Sequence, residues 1–165
     1  MPNRITPNFW FDTEAEEAAT FYTDIFPNSR IVDLQRWGPG GMRPEGTVLI
    51  AVFELDGQKF VALNGGPEFK PNEAVSFEIR CQDQHEVDHY WERLAADGGS
   101  HGPCGWLKDK YGFSWQVIPE ALPRLLSGTD PEASQRVMAA MLKMGKIDVA
   151  ELERAAAGET TAAVG

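Results

Sequence analysis

Two stretches of the chain, about 69 residues apart, carry the same order of apolar and polar positions. Each stretch opens with a short alternating run, Phe9-Trp10-Phe11 in the first and Phe77-Glu78-Ile79 in the second, which is typical of a half-buried strand. Each run leads into apolar residues at i, i+3, i+4 and i+7, the spacing of one helix face. The pattern therefore predicts a duplicated strand–helix unit. The two helical stripes are Ala18, Phe21, Tyr22 and Ile25, and Val87, Tyr90, Trp91 and Leu94.

The first copy continues with further strands and one long loop. Thr13 and Glu16 resemble a capping box and so predict where its helix begins. Residues 37–46 hold four glycines and two prolines, which predicts a loop that either acts as a lid or merely joins two strands. Asp56-Gly57 is a favoured two-residue hairpin turn. The predicted strands of this copy cover residues 5–12, 31–37, 47–55 and 60–64.

The second copy repeats this order after the Gly/Pro-containing connection that follows residue 64. Its first strand is predicted at residues 74–80 and its helix at 84–97, where Gly98 and Gly99 stop the helical pattern. Two short strands and a last strand at 113–119 complete the copy. Both copies are therefore predicted to be βαβββ modules.

The last third of the chain has a different, purely helical character. Asp130-Pro131 is a helix start with proline in the first turn, and Asp148 begins a second short helix. The stripe between them is interpreted as core or subunit packing, with a peptide-binding groove as the alternative. It consists of Val137, Met138, Met141 and Leu142. The predicted organisation is one domain over residues 1–119, built from modules at about 3–66 and 72–119, then C-terminal helices at 120–157 and a disordered tail at 158–165.

The predicted strands separate into two faces, because successive side chains of a strand point to opposite sides. The apolar face should carry the helices, and the mixed face should line a cavity, although a plain solvent-exposed face is the alternative. The apolar face holds Pro7, Phe9, Phe11, Val61, Leu63, Val75, Phe77, Ile79, Phe113, Trp115 and Val117. The mixed face holds Thr6, Asn8, Trp10, Asp12, Ala62, Asn64, Ala74, Ser76, Glu78, Ser114, Gln116 and Ile118.

Charge and cysteine content narrow the classes of partner. The formal net charge is −10 over 165 residues, which argues against nucleic acid and against anionic membrane surfaces, because both are bound through concentrated Lys and Arg. No segment has the length of apolar sequence needed to cross a bilayer, and no secretory signal is recognisable, so a cytoplasmic protein is expected. Cys81 and Cys104 are interpreted as reduced thiols.

Two longer runs resemble a known family. Residues 60–67, FVALNGGP, and 104–119, CGWLKDKYGFSWQVIP, are similar to the PhnB-like branch of the vicinal-oxygen-chelate superfamily, which includes glyoxalases, bleomycin-resistance proteins and extradiol dioxygenases. The resemblance covers roughly residues 3–155. It implies an α+β fold in which two βαβββ modules form an incomplete mixed-sheet barrel, here with a C-terminal helical extension. It also implies a homodimer with a small-molecule ligand in the barrel cleft.

The same resemblance bears on metal binding. Metal-using relatives place four ligands, His, Glu, His and Glu, on the first and last strands of their modules. Amide and hydroxyl oxygens are weak neutral donors and alanine supplies none, so the resemblance here implies a scaffold without a bound metal, and no cofactor is expected. The corresponding positions of this chain fall near Thr6, Ala62 or Asn64, Ala74 and Gln116.

The expected function is metal-independent binding of an unassigned small molecule. If the protein is instead an enzyme, Asp12 and Glu78 are the candidate catalytic groups, because burial would raise a carboxyl pKa toward a useful range. The resemblance also leaves open a metal-dependent lyase or dioxygenase, or the 3-demethylubiquinone 3-methyltransferase after which similar sequences are named. The sequence has no glycine-rich strand-to-helix turn of the kind that holds S-adenosylmethionine. The expected pocket residues are Thr6, Asn8, Trp10, Asn64, Ser76, Trp106 and Gln116.

One short motif points to a different chemistry. Residues 85–89, HEVDH, fit the H-E-x-x-H pattern of zinc peptidases. A helix rotates by 100° per residue, which places His85 and His89 opposite Val87 and its apolar stripe, so both should face solvent. His101 has no recognisable relation to this helix and is interpreted as a loop residue. Adventitious metal binding by the two helical histidines is therefore favoured over peptidase activity.

Overall fold

The computed structural model describes residues 4–159, and the chain divides between Pro71 and Asn72 into two compact units. The first unit is a βαβββ module whose open sheet has the strand order β1-β4-β3-β2. The first and fourth strands run parallel, and the other neighbours are antiparallel. Its elements are β1 (Asn8–Phe11), α1 (Ala15–Ile25), β2 (Arg30–Arg36), β3 (Val48–Leu55) and β4 (Gln58–Asn64).

The second unit repeats this topology. Its open sheet has the order β5-β8-β7-β6, again with the first and last strands parallel. A 3₁₀ turn, Ala96–Gly98, follows its helix, which is shorter than predicted. The duplicated βαβββ organisation and the α+β class are therefore confirmed. The elements are β5 (Ser76–Cys81), α2 (Gln84–Leu94), β6 (Ser100–His101), β7 (Trp106–Lys108) and β8 (Ser114–Pro119).

Three helices follow in the second unit: α3 (Ala121–Leu126), α4 (Pro131–Met141) and α5 (Val149–Ala157). The sequence pattern did not predict α3, which is only six residues long and contains Pro123. Proline is compatible with this position because it lies in the first helical turn, where backbone N–H groups have no partner within the helix. None of the described helices is long and apolar enough to cross a membrane.

Aromatic packing forms the core of the first unit between α1 and one face of its sheet. Phe9 is the centre of this cluster, with ring centroids 5.6 Å from Tyr22 and 5.6 Å from Phe60. Phe53 stacks on Phe60 at 5.7 Å, and all four side chains are buried. The apolar face predicted for the first strand is therefore confirmed for Phe9 and Phe11.

The face assignment predicted for β4 is wrong. Ala62 and Asn64 are buried on the side of α1, because the register places Ala62 beside Phe9 and Asn64 beside Phe11. Val61 is only half-buried and points to the other side. The Asn64 amide accepts a hydrogen bond from Ala15 N at 2.9 Å and donates one to Val48 O at 2.9 Å. Asn64 therefore satisfies backbone groups at the start of α1 and β3, which explains a polar residue in this core.

The second unit follows the predicted faces more closely. The helix stripe is buried, and Ile79, Trp115 and Val117 are buried beneath it. Cys81 lies at the end of β5 in the same interior, and burial raises the pKa of its thiol to about 12. This thiol is therefore protonated at neutral pH and is no candidate nucleophile.

A small apolar cluster holds the C-terminal helices together. The predicted packing role is confirmed for Val137, which is fully buried, whereas Met138 and Leu142 are exposed by 41% and 63%. Gly158 ends α5 in a left-handed conformation, so the predicted tail begins as an ordered cap, and residues 160–165 lie outside the described residues. The cluster consists of Leu122, Val137, Met144, Ile147 and Leu152.

Backbone hydrogen bonds attach this cluster to the rest of the second unit. Cys104 N donates to Met144 O and Gly105 N donates to Gly145 O, both at 2.8 Å. The Gln84 side chain adds a clamp from the start of α2. Its Nε2 donates to Ile147 O at 3.1 Å, and its Oε1 accepts from Val149 N at 2.9 Å. The helices are thus an integral part of the second unit.

Candidate functional site

The strongest candidate site is a pocket of about 480 Å³ in the second unit. It lies beside β6 and β7, on the face of the sheet that does not carry α2. The pocket combines two charged groups, two serine hydroxyls and an indole ring. Its lining residues are Glu73, Ser100, His101, Gly102, Pro103, Trp106, Leu107, Lys108 and Ser114.

Strand register brings the polar lining residues together. Ser114 of β8 is directly opposite Lys108 of β7, and Lys108 is opposite Ser100 of β6. Directly opposed residues of neighbouring strands project from the same face of a sheet. Trp106 lies two positions before Lys108 on the same strand and therefore shares that face. The sheet thus presents a row of hydroxyl, ammonium and hydroxyl groups with an aromatic ring next to it.

Ser114 is the most unusual member of this row. Its side chain lies in the pocket wall but is only 1% exposed, and its Oγ has no hydrogen-bond partner. Within the described part of the chain, the only other buried side-chain polar atom of this kind is Trp37 Nε1. Leaving a buried hydroxyl unpaired costs about 1–3 kcal/mol. A polar ligand atom in the pocket would remove that cost.

Lys108 provides the positive charge of the pocket. Its Nζ forms an ion pair with the carboxylate of Glu73, and the two side chains are 41% and 61% exposed. The hydrogen bond from Lys108 holds the pKa of the Glu73 carboxyl below its ordinary value of 4.5. Glu73 lies in the turn before β5, outside any helix or strand. The pair is therefore formed at neutral pH but is accessible to solvent.

Three predicted site residues of the second unit lie near this row. Ser76 is opposite Ser114, and Gln116 donates from Nε2 to Ser76 Oγ at 2.8 Å. Both extend the polar face beyond the pocket wall. Glu78 is exposed and pairs with Arg80 at 3.3 Å. The burial on which its proposed catalytic role depended is therefore absent.

The predicted site residues of the first unit have mainly structural contacts. Asn8 is exposed and donates to the backbone oxygen of Thr6 at 2.9 Å. Trp10 Nε1 donates to Gly66 O at 2.8 Å, and its ring lies so close to Gly65 that an added Cβ would be 2.3 Å from it. Asn64 belongs to the core, as described above. The geometry does not bring these residues into the pocket of the second unit.

Asp12 is held by the glycine-rich loop at residues 37–46. Arg43 Nη2 lies 2.6 Å from Asp12 Oδ1, and the Asp12 side chain is 37% exposed. Backbone bonds between Trp37 and Thr47 and between Gly46 and Trp37, at 2.9 and 2.8 Å, close the base of this loop. The loop is thus an ordered hairpin extension, and Asp12 is a surface ion-pair partner rather than a carboxyl buried in an apolar site.

The histidines have arrangements that do not fit a peptidase. His85 is exposed as predicted, and His89 contacts the Tyr90 ring edge-on at 5.0 Å. The interpretation of His101 as a loop residue is wrong, because it belongs to β6 and lines the pocket. Its ring stacks on Trp91 with a centroid distance of 4.5 Å.

The residues at the family's metal-ligand positions do not fit a metal. Ala62 has no donor and is buried on the side of α1, and the Asn64 amide is engaged with two backbone groups. The Gln116 amide is engaged with Ser76. No group of three or more His, Cys, Asp or Glu side chains is arranged to hold a metal ion anywhere in residues 4–159. No step of the chemistry discussed below is therefore assigned to a metal.

Comparisons with known proteins agree with this architecture. A family model described as 3-demethylubiquinone-9 3-methyltransferase matches residues 3–118. A putative 3-demethylubiquinone-9 3-methyltransferase, PhnB protein, from Bacillus cereus is 35% identical with a TM-score of 0.64, covering 71% of this chain and 99% of that one. Protein PA1353 from Pseudomonas aeruginosa is 17% identical with a TM-score of 0.60, covering 72% and 98%. The fosfomycin resistance protein FosX from Listeria monocytogenes is 15% identical with a TM-score of 0.51, covering 72% and 93%. A comparison with curated proteins gives no match.

The paired βαβββ units define a protein of the vicinal-oxygen-chelate superfamily. Within that superfamily, the chain belongs to the PhnB-like family whose model is described as 3-demethylubiquinone-9 3-methyltransferase. The matched region ends at residue 118, so the helices α3, α4 and α5 lie outside it.

Proposed function

We propose that the protein binds a small molecule in the pocket of its second unit, without a metal. The observation that carries the proposal is the unpaired, buried hydroxyl of Ser114 in the wall of that pocket. Native proteins seldom leave such a group without a partner, and an unfilled binding site is one physical reason for the exception. Trp106 and Lys108 on the same face supply an apolar platform and a charge.

The size and composition of the pocket support this proposal. Small-molecule sites usually have volumes of about 300–1,000 Å³, with apolar walls and a few polar groups that orient the ligand. The volume of about 480 Å³ falls within that range. Trp106, Pro103 and Leu107 contribute apolar wall, and the polar groups lie on one row of the sheet. The expected ligand is therefore an aromatic or similarly flat molecule with at least one polar group.

The proposal is one of binding and includes no catalysis. Asp12 and Glu78 are exposed ion-pair partners, so neither provides the buried acid that general acid–base chemistry favours. The family name would suggest methyl transfer from S-adenosylmethionine. However, the strand-to-helix connections at residues 12–14 and 82–83 contain no glycine, and a glycine-rich turn is the usual cradle for such a cofactor.

A fragment screen with three variants tests the proposed site. Aromatic fragments, neutral and charged, are screened by ligand-observed NMR, and hits are titrated by calorimetry. We expect Ser114→Ala to weaken binding about fivefold, because one hydrogen bond is lost, while stability rises by about 1 kcal/mol because a buried unpaired group is removed. Trp106→Ala should weaken binding about tenfold or more.

Thr13→Ala is the matched control, because Thr13 lines a separate pocket in the first unit. It should leave the affinity of every hit unchanged. Hits that bind Ser114→Ala and Trp106→Ala as tightly as the wild type would refute the proposed site.

A further inference from the structure

We propose that the ligand of this pocket carries a carboxylate, which replaces the Glu73 carboxylate on Lys108. The inference rests on the proposed function and adds the chemical class of the ligand. Glu73 is then a resident competitor that occupies the anion position until an aromatic or similarly flat carboxylic acid displaces it. Three properties of the Glu73–Lys108 pair support this exchange: its position, its exposure and the hydrogen-bonding capacity of its neighbours.

The position of the pair places an anion subsite inside the pocket. Glu73 and Lys108 both line the cavity, and the Lys108 ammonium is bound by a carboxylate oxygen. A carboxylate therefore already fits beside Lys108 in the folded protein. Ser114 is directly opposite Lys108 in the sheet, so a ligand carboxylate at this place would lie near the unpaired hydroxyl.

Exposure of the pair makes the exchange inexpensive. The two side chains are 41% and 61% exposed, and ion pairs of that kind contribute about 0–1 kcal/mol. Glu73 belongs to a turn, and its side chain can rotate into solvent without disturbing β5. A ligand that restores the charge pair and also buries apolar surface on Trp106 would thus gain more than the displaced glutamate loses.

The neighbours of Lys108 favour an anion over other ligand charges. Lys108 has only donors, and the hydroxyls of Ser100 and Ser114 can also donate, so the row offers several donors to one carboxylate. A cationic ligand bound to Glu73 would leave the Lys108 ammonium without its counter-ion. A neutral ligand would leave the Glu73–Lys108 pair in place and would use only the apolar wall and one hydroxyl.

A matched pair of probes tests the inference: 2-naphthoate and 2-naphthamide, which have the same ring system and differ in charge. Their dissociation constants are measured by calorimetry at neutral pH with the intact wild-type protein and with variants. We expect the wild type to bind 2-naphthoate about fivefold more tightly than 2-naphthamide. Glu73→Gln should tighten the naphthoate complex about threefold to fivefold and leave the naphthamide complex unchanged. Lys108→Gln should remove the preference for naphthoate.

Glu92→Gln is the control, because it removes the same charge from an exposed position on α2, away from the pocket wall. It should not alter the preference between the two probes, whereas a general effect of net charge would appear equally in both glutamate variants. Equal affinity of the two probes, with no effect of Glu73→Gln, would overturn the inference and leave the binding site itself intact. Absence of binding by both probes would contradict the inference and the proposed function together.

Discussion

Replacing Asp109 with asparagine is expected to reduce the free energy of unfolding by about 3 kcal/mol. Asp109 is only 2% exposed and lies in the loop between β7 and β8. Its Oδ1 accepts from the backbone N of Tyr111 at 2.9 Å and of Phe113 at 3.0 Å, and its Oδ2 accepts from Trp115 Nε1 at 2.8 Å. An asparagine keeps one acceptor oxygen but turns the other into a donor that faces an N–H group.

Urea unfolding followed by circular dichroism measures this change. Asp97→Asn is the matched control, because Asp97 is exposed in the 3₁₀ turn with φ at 58°, a conformation that asparagine tolerates well. The control should change stability by less than about 0.5 kcal/mol. If Asp109→Asn were equally mild, the loop would not depend on this carboxylate, and the alignment of Lys108 with Ser114 would need another explanation.

Gly105→Ala is expected to destabilise the protein by about 3 kcal/mol or more. The backbone of Gly105 has φ at +82°, and an added Cβ would lie 2.8 Å from Val117 O and 3.2 Å from Ile147 Cγ1. Gly105 also donates to Gly145 O and accepts from Val117 N, both at 2.8 Å. The neighbours are backbone atoms fixed in a sheet and a buried side chain, so they cannot move aside cheaply.

Gly46→Ala separates the clash from the backbone conformation. Gly46 has φ at +85° and hydrogen-bonded backbone groups, but nothing lies within 4 Å of its added Cβ. It should lose only about 1–2 kcal/mol, the cost of a left-handed residue with a side chain. Equal losses in the two variants, measured by the same urea unfolding, would show that the packing of the C-terminal helices around Gly105 contributes little.

Duplication made the fold predictable. The offset between the two helical stripes does not depend on the bounds of any single element, so errors of a few residues at element ends leave the βαβββ order intact. The face of β4 was less predictable. Val61 is more apolar than Ala62, so a hydrophobicity count assigns the inward face to Val61. The structure instead requires a small residue under α1 and an amide that binds two backbone groups, which are properties of tertiary contact.

The candidate site was only partly predictable for a related reason. Trp106 and the polar face that carries Ser114 were recognised from the sequence, but Lys108, Ser100 and His101 were not assigned to a pocket. They lie on β6 and β7, which have only two and three residues. Strands that short show too little alternation to fix their faces. Glu73 gave no signal because its role depends on a turn that brings it to Lys108.

Chemical-shift mapping tests the central claim, which is that ligands bind in the pocket of the second unit. Titration of ¹⁵N-labelled protein with the tightest-binding fragment should produce its largest shifts at the Trp106 indole N–H and at the amides of Lys108 and Ser114. Largest shifts at residues 4–71, with these three signals unchanged, would contradict the account.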